Sequence, residues 1–164
     1  MKKIITLFIF LLIISTSKSS FSQVLLPADM NTLDSLKEVN KGKVILFNFW
    51  AYWCKPCKEE FPDLVKIHND FQDKNFSLIF VSLDFDEALE NSTIPFLKDQ
   101  GVDFITYFNN FEKDEELILY MDKNWSGGIP GTFIFDKEGE LSASLIGMQK
   151  YDTFEKEINK QLNK

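Results

Sequence analysis

The two cysteines of this 164-residue chain stand three positions apart, in Cys54-Lys55-Pro56-Cys57, just after the apolar run Val44 to Trp50. An apolar run with almost no polar break is the pattern of a strand buried on both faces, as in the centre of an α/β sheet. With Cys54 opening a helix after that strand, Cys57 lies one turn on, and the two Cα atoms fall within the roughly 4.4 to 6.8 Å that a disulfide requires. The pair can then close and open without moving the fold. Cys54 faces the unpaired N–H groups and the positive dipole end of that helix, which favour thiolate over thiol. Cys54 is therefore the expected nucleophile and Cys57 the resolving partner. A ring this small gains little loop entropy, so a purely structural disulfide is the lesser reading.

The first residues read as an export signal: Lys2 and Lys3, an apolar core from Ile4 to Ile14, then a polar stretch with Ser20 and Ser22 before an expected cut after Ser22. The core is shorter than the roughly 20 apolar residues of a membrane span; a retained signal would instead anchor the protein. Residues 23–164 then form one domain, large enough for a real core and too small for two typical ones. Loss of Lys2, Lys3 and Lys18, with no acid among residues 1–22, takes the formal charge from −7 to −10. A surface this acidic argues against nucleic acid and anionic lipid as partners.

Helical spacing marks a first helix between Asn31 and Asn40, and a second from Pro56 with Phe61, Leu64, Val65, His68 and Phe71 inward. Glu59, Glu60, Asp63, Lys66 and Asp70 supply its polar side, and Pro62 is expected to kink it. Phe76 to Leu83 reads as a second buried strand, parallel to the first through a right-handed βαβ crossover. Beyond it the pattern predicts a helix over Ile94 to Gln100, a strand over Phe104 to Phe108 and a helix over Asp114 to Met121. A hairpin follows, Gly131 to Phe135 and Glu140 to Ile146 about Asp136-Lys137-Glu138-Gly139, then a last helix with Tyr151, Phe154, Ile158 and Leu162 on one face.

The order βα, βα, ββα, with Trp-Cys-x-x-Cys at the first strand-to-helix junction and a proline before the hairpin, resembles the thioredoxin fold over essentially the whole chain after residue 22. That fold is α/β, a central mixed sheet flanked by helices. Phe49 to Cys57 is similar to the family's active-site signature, and Gly128-Ile129-Pro130-Gly131-Thr132 to its cis-proline loop. The export signal, and an insertion between Asp84 and Gly128 that separates the βαβ and ββα halves, resemble the extracytoplasmic TlpA/ResA-like thiol-disulfide reductases. The resemblance implies a cis Ile129-Pro130 bond, with Ile129 offering its backbone N–H and C=O to an extended substrate segment. It also implies that Trp53 is a partly exposed platform for substrate, while Trp50 reads as core. Where cytosolic thioredoxins carry a buried Asp that serves proton transfer, this chain has Asn48, which is no base. Some relatives use an acid from the loop after the second strand, for which Asp84, Asp86 and Glu87 are candidates; the alternative is that all three are solvated.

These readings combine into an extracytoplasmic, monomeric thiol-disulfide oxidoreductase whose Cys54 attacks a protein disulfide and whose Cys57 resolves it. Lys55 and Pro56 tune the potential, one by charge and one by stiffening the first helical turn. No cofactor is required. The resemblance implies electrons from a membrane thiol carrier and exported clients, apocytochrome c among them. A thiol peroxidase is the competing enzyme, although such enzymes carry Thr or Ser where this chain has Ala51. A copper- or client-binding module is the non-catalytic alternative, against which the scarcity of His and Met near the cysteines argues. His68, the single histidine, reads as a surface or boundary residue, and two cysteines with one distant His fall short of a structural zinc site.

Overall fold

The computed structural model describes residues 23–164, so the expected export signal and its cleavage after Ser22 lie outside the described residues. The chain runs β1 (Leu25–Ala28), α1 (Met30–Val39), β2 (Val44–Trp50), α2 (Lys55–Phe71), β3 (Phe76–Ser82), a π-helical turn (Leu89–Thr93), α3 (Ile94–Asp99), β4 (Thr106–Asn109), α4 (Asp114–Met121), β5 (Gly131–Phe135), β6 (Leu141–Ile146) and α5 (Tyr151–Leu162). The strands form one mixed sheet in the order β1-β4-β3-β2-β5-β6. β2 is parallel to β3 along its full length and antiparallel to β5.

Alternation along β2 explains its apolar run. Val44, Leu46 and Trp50 join one core layer; Ile45, Phe47 and Phe49 join the other. The first layer also holds Phe61, Leu64 and Ile67 from α2, Leu97 from α3 and Phe154 from α5. The second holds Leu33 from α1 and Leu117 and Met121 from α4. Asn48, the one polar residue of β2, belongs by the same alternation to the α2 side, and it is fully buried there. The sheet thus delivers its central strand end, and the cysteines that follow, between two covered faces.

The helix starts follow local chemistry. Asp29 caps α1, its carboxylate accepting the Thr32 N–H at 2.9 Å. Cys54 caps α2, which continues through Pro62 as one helix to Phe71. In the hairpin, Gly139 takes φ +88°, and the Asp136 carboxylate accepts the N–H groups of Glu138 and Glu140. A side chain at that φ would be strained, which is why glycine closes the turn.

Two elements differ from the sequence-based expectation. β1 was not expected: it is short, contains Pro27 and pairs only with β4, at the sheet edge where proline is tolerated. The strand expected over Phe104 to Phe108 runs instead over Thr106–Asn109; Phe104 lies outside the ladder and stacks on His68, 4.1 Å between ring centres. The insertion contributes to the sheet itself. Its strand β4 lies between β1 and β3.

Candidate active site

Cys54 and Cys57 form a disulfide with a Cα–Cα distance of 5.3 Å, within the range expected from their spacing. Their positions are unequal. Cys54 sits just before α2, where its sulfur accepts the Cys57 N–H at 3.2 Å, while Cys57 lies inside the first turn. Cys54 is 5 % exposed and Cys57 1 %, so an incoming group meets Cys54 first. The sulfur that is reached first is also the one that receives a helix N–H, and such a bond strengthens when that sulfur carries charge.

The Ile129–Pro130 bond is cis. Ile129 packs against the core cluster that contains both cysteines, and together with Trp53 it lines one cavity. Trp53 is 67 % exposed, whereas Trp50 is buried and packs edge-on against Phe61 at 4.8 Å between centres. Pro56 occupies the first turn of α2. Lys55 is solvated and pairs with Glu59 at 3.5 Å, so water and that partner screen its charge from the sulfurs. His68 is half-buried, and burial pushes its pKa down.

Glu60 does not lie on the solvated side of α2; it is buried, at 1 % exposure. It stands three residues after Cys57, one helical turn on and on the same face. One carboxylate oxygen accepts the Asn48 side-chain N–H at 2.9 Å and the other accepts the Gln149 backbone N–H at 2.9 Å. Asn48 also donates to the Thr132 hydroxyl at 2.9 Å, across the β2–β5 register. Burial pushes the Glu60 carboxyl up to about 7, against the opposing pull of those two donors. α2 thus carries a buried carboxyl whose pKa is raised by burial, held by Asn48 and the Gln149 backbone.

The loop acids have a different fate. Asp86 and Glu87 are exposed, but Asp84 is 2 % exposed and fully engaged. It accepts the Tyr52 backbone N–H at 2.9 Å, the Ser82 hydroxyl at 2.8 Å and the Thr93 hydroxyl at 2.7 Å. It is not a solvated loop carboxylate. It fastens the loop before Cys54 to the end of β3 and to the start of the insertion.

Trp125, which carried no signal in the sequence beyond being an aromatic in the insertion, fastens the other side. Its indole N–H donates to the Gly128 carbonyl at 2.9 Å, just before the cis peptide, and its ring packs on Phe49 and Phe133. Trp125→Phe leaves that carbonyl without its donor and a gap beside Phe133. The expected loss is about 2 kcal/mol of stability, read from urea midpoints, together with slower disulfide exchange from a loosened Ile129 backbone.

The family model of the AhpC/TSA family matches residues 21–144. Thiol-disulfide oxidoreductase ResA of Bacillus cereus (strain ZK / E33L) is 30 % identical over 120 residues, covering 73 % of this chain and 64 % of its own. The ResA of Bacillus anthracis is 29 % identical over 123 residues with the same coverages, so the chain spans 64 %, less than two thirds, of the length of these relatives. Among solved structures, a putative thiol:disulfide interchange protein DsbE from Chlorobium tepidum is 28 % identical, with TM-score 0.62 over 76 % of this chain and 84 % of that one. A second thioredoxin family protein from Chlorobium tepidum TLS gives TM-score 0.64 at 26 % identity, over 77 % of this chain and 84 % of that one. With a mixed sheet, a Cys-x-x-Cys pair opening α2 and a cis proline before the hairpin, the chain belongs to the AhpC/TSA family and is a TlpA/ResA-like member of the thioredoxin superfamily.

Proposed function

We propose that the protein is an extracytoplasmic thiol-disulfide oxidoreductase that reduces disulfides of exported proteins. The observation that carries this reading is the Cys54–Cys57 disulfide at the start of α2, the geometry of a dithiol that opens and closes in place. The names of its relatives support the same chemistry.

In the reduced protein the Cys54 thiolate attacks one sulfur of the substrate disulfide, and the other substrate sulfur leaves as a thiolate. The Glu60 carboxylate, one turn beyond Cys57, takes the Cys57 proton. The Cys57 sulfur then attacks Cys54, the bond between Cys54 and substrate breaks, and the second substrate thiolate departs. Two electrons have moved to the substrate, and Cys54 and Cys57 are left as a disulfide. A group with pKa about 7 accepts and returns that proton near neutrality. Pro56 stiffens the turn between the sulfurs. Ile129 and Trp53 receive the substrate segment, the first by its backbone and the second by its exposed ring. Ala51 is buried and has no hydroxyl to position a peroxide, which favours disulfide exchange over peroxide reduction.

Electrons to reopen the disulfide come, in this reading, from a membrane thiol carrier, and the protein works as a monomer after loss of residues 1–22; apocytochrome c is one client. Redox equilibration of residues 23–164 against glutathione or dithiothreitol, followed by tryptophan fluorescence, tests the direction. A potential below roughly −200 mV is expected, and one near −120 mV, that of a strong oxidant, overturns the reducing assignment.

A further inference from the structure

Between the loop after β3 and α4, with Trp53 and Ile129 in its lining, the surface opens into a cavity of about 600 Å³. Leu117, Ile118 and Trp125 give it an apolar wall, and Phe85 and Trp53 stand at its rim, 70 % and 67 % exposed. Its lining includes the exposed Asp114 and the buried Asp84 and, among the described residues, no basic residue. Ile129 belongs to this lining as well, so the cavity is continuous with the backbone offered to substrate. An extended segment pairing with Ile129 sends alternate side chains to opposite sides. One set faces the cavity.

We propose that this cavity is the specificity pocket of the exchange reaction, built by the insertion to seat one apolar side chain of an extended, disulfide-bearing polypeptide. The exposed Asp114 carboxylate favours a basic residue beside that side chain and disfavours an acidic one. The inference rests on the oxidoreductase reading above and adds the class of segment that the site selects. Apolar contact supplies the selection for the seated side chain. The absence of any cation in the lining supplies the discrimination by charge.

The test uses reduced protein and four glutathione mixed disulfides of short cysteine peptides, in which one neighbour of the cysteine is Phe or Gly and the next is Lys or Glu. Each rate is divided by the rate with hydroxyethyl disulfide, which is too small to reach the pocket, so a general change in cysteine reactivity cancels. The Phe–Lys peptide is expected to react at least about tenfold faster than the Gly–Glu peptide on this scale. Ile118→Trp, which fills the cavity, should bring the Phe/Gly ratio to within about twofold, and Asp114→Lys should invert the Lys/Glu ratio. Ser126→Trp obstructs the same space from an exposed position and decides the matter should Ile118→Trp fail to fold. Four peptides reduced at equal normalised rates, or ratios untouched by the obstructing variants, overturn the pocket while leaving the oxidoreductase reading standing. Failure to reduce hydroxyethyl disulfide as well as the peptides removes the exchange chemistry itself.

Discussion

Cys57→Ser is expected to hold substrate as a covalent mixed disulfide on Cys54, visible as a mass increase that dithiothreitol reverses, while Cys54→Ser forms no adduct. Both variants should lose catalysed insulin reduction, on the order of 10³-fold or more, because each removes a bond-making sulfur rather than a helper. The asymmetry follows from where the two sulfurs sit. Cys54 precedes the helix and is the more exposed, whereas Cys57 is one turn inside and reaches only Cys54. The ring they close is too short to restrict the unfolded chain greatly, so loss of the disulfide should change stability much less than activity. An adduct on Cys57 in the Cys54→Ser variant, at the rate of the unsubstituted protein, would reverse the two roles.

Much of this arrangement was legible in the sequence, for a physical reason. The run Val44 to Trp50, the cysteine spacing, the hairpin and the proline before it are local patterns, and each is set by residues close together in the chain. Glu60 was not legible in that way, yet a signal existed. The buried stripe of α2 is Cys57, Glu60, Phe61, Leu64, Ile67 and Phe71, so Glu60 is the one carboxylate at the helical spacing of the core. A face centred on Phe61, Val65 and His68 is rotated slightly from the true one, and that rotation put Glu60 in water. Asp84 and Trp125 are harder cases. Their partners lie at Tyr52, Thr93 and Gly128, and only the folded insertion brings these together. β1 was hidden because four residues with a proline carry almost no periodic signal; its pairing with β4 makes it a strand.

Glu60→Gln is expected to change both the pH dependence of stability and the second chemical step. The folded protein holds the Glu60 proton up to about pH 7, whereas an unperturbed glutamate releases it near pH 4.5. A group whose pKa is raised by folding stabilises the protein fully below its unfolded pKa and loses that contribution as pH rises through the folded one. For Glu60 the window runs from about pH 4.5 to about pH 7, and the loss across it is about 3 kcal/mol. His68, its pKa pushed down by burial, acts in the opposite sense, its folded form losing stability as pH falls. The reading is therefore taken as the difference between the two proteins, in which His68 and the surface carboxylates cancel. Urea midpoints measured from pH 4.5 to 8 should show the unsubstituted protein losing ground to Glu60→Gln as pH rises. In rapid-mixing experiments the variant should form the mixed disulfide at the normal rate but resolve it about 10²-fold more slowly, without an inflection near pH 7. A residue that only packs would alter stability and leave that inflection in place; an inflection retained in Glu60→Gln moves the proton acceptor elsewhere.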